Sequence, residues 1–285
     1  MPDARVLIGR PVARQLNDAT MERVERFIRR RGRAPQLAVF TSEDPSAQSY
    51  LKSLKSAASK LQVVVEEHPL RSGATTGEVA KEVSEVGERE EVDGILIQTP
   101  LPANLNIQAI AGALPPSKDV DGASLTQAGM LFHGLKGAIA PSTARACIEI
   151  LSYYRYTLSG MEVVVVGRSP VVGRPVALLA LAKNATVTWC HSKTVSLPAI
   201  CKRAEILIVA IGKPKMVNAN FVRAGATVID VGINVTEDGK IVGDVDVSTI
   251  GNVAAAYTPV PGGVGPVTTA CLFANLLDAA EARAR

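Results

Sequence analysis

The chain is 285 residues long, with 47% hydrophobic and 20% charged residues, which excludes a disordered or fibrous protein and supplies apolar material for two α/β domains. Its formal net charge is +4, but Lys and Arg are dispersed, and the densest run, Arg29-Arg30-Arg31-Gly32-Arg33, closes a helical stretch whose dipole favours cations. That pattern argues against a nucleic-acid or membrane-surface partner.

The start, Met1-Pro2-Asp3-Ala4-Arg5, has no apolar signal region, and no apolar run approaches the roughly 20 residues of a membrane span. Cys147, Cys190, Cys201 and Cys271 form neither a CxxC pair nor a His-associated cluster. A soluble, cytoplasmic protein with buried thiols and no metal is expected. After an amphipathic helix through about Arg31, short apolar runs at Gln36–Phe40, Val63–Val65 and Gly94–Gln98 read as strands separated by helices around 47–60 and 76–90. This β-α-β-α-β alternation predicts a parallel sheet covered by helices.

The turn-rich Leu114–Gly122 segment places a domain boundary, giving residues 1–122 and 123–267 as the two domains. Strands are expected at 162–166, 186–190, 205–211 and 227–231, with a helix over 172–183. A last helix, 268–285, is expected to pack back on the first domain.

The strand Met161–Val166 runs into Gly167-Arg168-Ser169-Pro170-Val171-Val172-Gly173 and then an Ala/Leu-rich helix. A strand that ends in glycine lets the backbone turn close to a pyrophosphate, and the following helix offers its first amides to the anion. Gly167, Arg168, Ser169 and Gly173 are therefore candidate cofactor residues, although the spacing is not G-x-G-x-x-G. An acid that would accept from the ribose hydroxyls is expected about 20 residues on. The chain has Cys190-His191-Ser192-Lys193 there, so NADP is favoured over NAD, with Arg168, His191 and Ser192 facing the 2′-phosphate. Two more strands end in glycine, at Gly212 and Gly232, followed by Ile233. The rigid loop Pro259-Val260-Pro261-Gly262-Gly263-Val264-Gly265-Pro266 suggests a backbone that something must approach closely.

The stretches GRSPVVGRP, NATVTWCHSKT, AIGKPKMV, GATVIDVGIN, VGDVDV and TPVPGGVGPVT, with QTPLP and KDVDG in the first half, resemble the bifunctional methylenetetrahydrofolate dehydrogenase/methenyltetrahydrofolate cyclohydrolase family. The resemblance implies an N-terminal α/β folate domain and a Rossmann-like NADP domain with a cleft between them, in a homodimer. It implies oxidation of 5,10-methylenetetrahydrofolate to the methenyl form with NADP, then hydrolysis to 10-formyltetrahydrofolate, within one-carbon metabolism and purine biosynthesis. Gly167, Arg168, Ser169, Ser192 and Ile233 would contact the cofactor, and Pro261, Gly262, Gly263, Val264 and Gly265 would border the folate.

In that family a helix carries a Tyr and, four residues on, a Lys on the same face. Tyr50 matches the first, Gln98 the strand-end Gln that supports the Lys, and Asp121 the acid that holds the pterin. Leu54 stands at the Lys position. Lys55 points about 100° and Lys52 about 160° away from Leu54 around a helix, so neither shares the face of Tyr50, though a flexible Lys55 is the one candidate substitute. The family's KDVDGFH reads Lys118-Asp119-Val120-Asp121-Gly122-Ala123-Ser124 here, its PCTPxG reads Pro141-Ser142-Thr143-Ala144-Arg145-Ala146, and an Asn is replaced by Gln127. Hydride transfer is mainly a positioning task, whereas hydrolysis needs a proton-handling group, so Leu54 is expected to impair the cyclohydrolase first. Two alternatives remain open: a homologue that binds folate or nucleotide with reduced catalysis, and a dehydrogenase for another pterin carrier.

Overall fold

The computed structural model describes residues 4–283. Met1–Asp3 of the N-terminal start, and 284–285 of the expected terminal helix, lie outside the described residues. In chain order the elements are β1 (Arg5–Val6), α1 (Gly9–Arg31), β2 (Gln36–Thr41), α2 (Pro45–Lys60), β3 (Val64–Pro69), α3 (Thr76–Glu88), β4 (Gly94–Ile97), α4 (Ile107–Gly112), α5 (Leu125–Phe132) and α6 (Ser142–Tyr153). There follow β5 (Glu162–Val166), α7 (Gly173–Ala182), β6 (Thr186–Cys190), α8 (Leu197–Cys201), β7 (Ile206–Val209), β8 (Thr227–Asp230), β9 (Asn234–Val235), β10 (Ile241–Val242), α9 (Val247–Ile250), β11 (Ala256–Tyr257) and α10 (Val264–Ala282). Among the described residues no helix is long and apolar enough to cross a membrane.

The chain forms two compact units. One comprises Gln15–Ser142 with the chain from Leu272; the other comprises the chain up to Arg14 with Thr143–Cys271.

The first unit holds a three-stranded parallel sheet in the order β3-β2-β4. Its central strand is apolar from Leu37 to Phe40, and the alternation of side chains sends these residues to two different cores. Leu37 and Val39 join α1, α2 and the second half of α10 in one cluster, while Ala38 and Phe40 join α3 and α4 in another. The helices thus cover both faces, as a parallel sheet requires. β3 extends past the expected Val63–Val65 run, through Glu66 and Glu67 to Pro69. An edge strand can keep such polar residues: Glu66 pairs with Arg89 at 2.7 Å and Glu67 with Lys55.

The turn at Leu114–Gly122 does not end this unit. Gln127 donates from Nε2 to Pro116 O and accepts at Oε1 from Ile139 N, both at 2.8 Å. Asn275 of α10 donates to Val120 O at 2.8 Å and to Ala140 O at 3.0 Å. These amides hold residues 123–142 to the unit, which moves its limit from 122 to Ser142. Within the basic run, Arg29–Arg31 are exposed, but Arg33 pairs with the buried Asp93 at 2.6 Å and is no free cation.

The second unit holds a six-stranded parallel sheet, β1-β11-β8-β7-β5-β6, and the β9–β10 hairpin is antiparallel. All four residues of β7 and of β8 are buried, which explains the unbroken Ile/Leu/Val run of β7, whereas β8 carries Thr227 and the buried Asp230 at its two ends. The four cysteines are buried free thiols, and burial pushes Cys147 and Cys201 up to about 12.

Candidate active site

In the six-stranded sheet β5 has β6 on one side and β7 on the other, so the chain reverses its advance across the sheet at this strand. Loops leaving the carboxyl ends there part in opposite directions and open a crevice for a ligand. Gly167 follows β5 directly and has φ of 135°, a conformation that side chains disfavour. A Cβ on Gly173 would lie 2.2 Å from Gly167 O, so α7 can begin this close to the strand end only with glycine there.

Ser169 Oγ accepts from Val172 N at 3.1 Å and Gly173 N at 3.3 Å. Its lone pairs serve the helix start, and its O–H is left to donate toward an anion. At the end of β6, His191 Nδ1 accepts from Lys193 N at 3.1 Å, which leaves the proton of a neutral ring on Nε2. Arg168, Ser192 and Lys193 are exposed, and no carboxylate occupies residues 190–193. This set of donors without an acid fits a phosphorylated ribose better than a free 2′-hydroxyl. Ile233, after the end of β8, is 67% exposed.

Two buried carboxylates shape the other strand ends. Asp244, fully buried, accepts from Ile211 N, Gly212 N, Lys213 N and Asn234 Nδ2 at 2.7–3.0 Å. Asp230 accepts from Gly232 N, Asp244 N and Val245 N at 2.9–3.1 Å. Burial outweighs those amides and raises the Asp230 carboxyl to about 6. The glycine-ended strands are therefore bound into one framework, so the loops after β7 and β8 have fixed shapes.

The Pro/Gly loop has a neighbour within its own unit. Gly9 N donates to Gly262 O at 2.9 Å, and a Cβ on Gly9 would lie 1.8 Å from Gly263 O. Close approach does govern this loop, and the start of α1 is one partner that requires it. Pro261 and Gly265 are exposed and Gly262 half-buried, whereas Gly263 and Val264 are buried.

The three-stranded sheet repeats the topology on a smaller scale, with β2 between β3 and β4. Asp44 caps α2 by accepting from Ser46 N at 2.8 Å, which starts the helix at the carboxyl end of β2. Gln98, just past β4 and 5% exposed, donates from Nε2 to Ala47 O at 2.6 Å. Its Oε1 is buried and has no hydrogen-bond partner among the described residues.

From Ala47 the inner face of α2 continues through Tyr50, Leu51, Leu54 and Ala58, the three- and four-residue spacing of a buried stripe. Tyr50 is half-buried against the apolar cluster. Leu54 is 0% exposed and packs in that cluster with Val39, Leu96, Val120 and Phe273. Lys52 is exposed, and Lys55 is engaged with Glu67 on the edge strand. The one candidate substitute for the missing lysine thus has its ammonium committed elsewhere.

Asp121 Oδ1 accepts from Ser142 N at 2.8 Å, and burial raises its carboxyl above the usual range. The turn that carries it is held by Asp119, fully buried, which accepts from Asp121 N, Ala123 N and Ser124 N at 2.8–3.3 Å. Asp119, Asp230, Asp244, Asn275 and Trp189 had no assigned role from sequence. For Asp119 the available signal was an Asp opening a Gly-containing turn, the pattern of a side chain that bonds its own backbone. The long-range bonds of Asp244 and Asn275 had no local signal.

A doubly wound sheet with a glycine-lined switch point, together with a smaller parallel α/β unit that carries a polar strand-end cluster, defines a two-unit nucleotide-binding protein of the dehydrogenase type. Its relatives specify the class further: the chain belongs to the tetrahydrofolate dehydrogenase/cyclohydrolase family. The catalytic-domain model of that family matches residues 7–121 and the NAD(P)-binding-domain model residues 141–284. The chain is 44% identical over 280 residues to the bifunctional protein FolD of Nocardia farcinica, with 98% of each chain covered. Its structure is similar to that of the bifunctional enzyme FolD, a methylenetetrahydrofolate dehydrogenase/cyclohydrolase, from Campylobacter jejuni, with a TM-score of 0.94, 34% identity and coverage of 98% and 99%. It is also similar to the Trypanosoma brucei N5,N10-methylenetetrahydrofolate dehydrogenase-cyclohydrolase solved with NADP cofactor and inhibitor, with a TM-score of 0.94, 33% identity and 100% of both chains covered.

Proposed function

We propose that this chain is an NADP-dependent 5,10-methylenetetrahydrofolate dehydrogenase whose methenyltetrahydrofolate cyclohydrolase step is weak. The observation that carries the reading is a contrast. The strand–glycine–helix start at Gly167–Gly173 is complete, while Leu54 is sealed in an apolar cluster and Gln98 Oε1 beside the same helix has no partner among the described residues.

NADP, when bound, supplies the hydride acceptor. Gly167, Ser169 and Gly173 would hold its pyrophosphate, and Arg168, His191 Nε2–H and Ser192 its 2′-phosphate, with Ile233 against the nicotinamide end. Tyr50 would pack on the folate, Gln98 would orient a polar group near the one-carbon centre, and Asp121 would hold the pterin. Pro261–Gly265 would border the folate through Pro261, Gly262 and Gly265, which offer surface. Gln15–Ser142 with the chain from Leu272 is the folate-handling domain in this reading, and the other unit is the NADP domain. The working form is a cytoplasmic homodimer.

Hydride transfer requires donor carbon and nicotinamide to be held in line, which these groups do without a lysine. Hydrolysis requires a proton to be moved, a contribution of about 10²–10⁴-fold when a general acid–base is present. The test is to supply the purified protein with 5,10-methylenetetrahydrofolate and NADP and follow NADPH. Formation of NADPH supports the reading; folate and NADP binding without turnover assigns a binding homologue instead, and turnover only with another reduced pterin assigns a different carrier.

A further inference from the structure

We propose that Trp189 is a positioning residue for the cofactor: its indole N–H holds the Gly167 carbonyl and so orients the first peptide of the phosphate-facing loop. The inference rests on the NADP reading of this site.

Trp189 lies on edge strand β6, directly opposite Val165 of β5. Its Nε1 donates to Gly167 O at 2.6 Å, and Gly167 N donates to Cys190 O at 3.0 Å. Adjacent residues of β6 therefore grip both polar backbone groups of Gly167. A trans peptide is planar, with C=O and N–H pointing in opposite directions, so fixing the Gly167 carbonyl also fixes the direction of Arg168 N–H. On another side the same peptide meets the start of α7, where a Cβ on Gly173 would lie 2.2 Å from Gly167 O and 2.9 Å from Arg168 N.

Gly167 lacks a side chain to limit its own rotation, so the indole hydrogen bond supplies the restraint that the residue does not. The ring stays 43% exposed, which is unusual for a tryptophan serving only as core.

A restraint on the pyrophosphate end acts on ground state and transition state alike. Its loss therefore raises KM without lowering kcat. Trp189→Phe keeps an aromatic ring and removes the N–H. Its KM for NADP rises by about three- to tenfold, the range set by one net hydrogen bond, while kcat at saturating NADP stays within about twofold and the melting temperature stays close to wild type.

Trp189 is also the sole tryptophan of the chain, so wild-type indole emission reports the site directly. Titrating NADP changes that emission saturably, with a midpoint equal to the Kd from calorimetry. Emission unmoved at saturating NADP, a Trp189→Phe KM within about twofold of wild type, or a parallel fall in kcat overturns the proposal. The emission titration uses wild-type protein and stands should the variant fold poorly. If calorimetry finds no NADP binding by the wild type, the NADP reading itself fails and this inference with it; NADP binding with unchanged Trp189→Phe kinetics defeats this inference alone.

Discussion

At position 54 an apolar side chain fills the helix face shared with Tyr50, and the proposed separation of the two reactions rests on that residue. Leu54 is two turns beyond Ala47, whose carbonyl receives Gln98, and helical side chains lean toward the N-terminus. A lysine at 54 would therefore extend back along the face of Tyr50 toward the unpartnered Gln98 Oε1. We expect Leu54→Lys to lose about 1–3 kcal/mol of stability through lost packing, measured by denaturant unfolding. The same variant gains at least about tenfold in methenyltetrahydrofolate hydrolysis over buffer, part of the general acid–base contribution. A folded variant with no gain would place the defect at Ala123–Gln127 or Ser142–Ala146 instead. The identity of Leu54 was legible from its spacing to Tyr50, because helical periodicity assigns faces. That Lys55 is tied to Glu67 was not, because the pair depends on where β3 lies beside α2.

Among the elements, strands and helices with clear periodicity emerged near their predicted limits, as β2, β4, β5 and β6 illustrate. The exceptions have physical causes. β3 continues through Glu66 and Glu67 because its outer edge lets carboxylates meet cations, and β1 and β11 are two-residue strands completed by a sheet whose other members lie far away in sequence. In sequence the ends of β7 and β8 show only a following glycine, yet Asp244 unites the segments after them through four hydrogen bonds. Asp244→Asn replaces an oxygen with a donor amide that faces donors, leaving two of those bonds unmade. The expected cost is about 2–3 kcal/mol of unfolding free energy, with a larger rise in KM for NADP than for the folate substrate. Equal KM values for wild type and variant would show that the framework does not shape the cofactor loops.

For the whole molecule, burial of Asp230 adds a pH dependence of stability opposite in sense to that of an ordinary paired carboxylate. Asp230 titrates at about 6 in the folded chain against 3.8 when unperturbed, so between these values the folded state binds more protons than the unfolded state. Unfolding free energy therefore falls as pH rises from about 4 to about 6, on the order of 2–3 kcal/mol from this group, and Asp121 acts in the same direction. The lowered carboxyls of Asp44, Glu66, Glu78, Glu91 and Asp238 act in the opposite sense, so the share of Asp230 is the difference between wild type and Asp230→Asn in denaturant unfolding across that range; equal slopes would contradict the assignment.

The two-sheet architecture was legible because each parallel sheet needs buried strands alternating with helices. The placement of residues 123–142 was not, since Gln127 and Asn275 act over long sequence distances. The most direct test of the central claim is the ratio of the two activities in the wild-type protein, with NADPH formation from 5,10-methylenetetrahydrofolate compared with methenyltetrahydrofolate hydrolysis above buffer. The account predicts rapid NADPH formation and hydrolysis slower by at least about 10²-fold, so that methenyltetrahydrofolate accumulates. Hydrolysis that keeps pace with hydride transfer, with no methenyl accumulation, would contradict it.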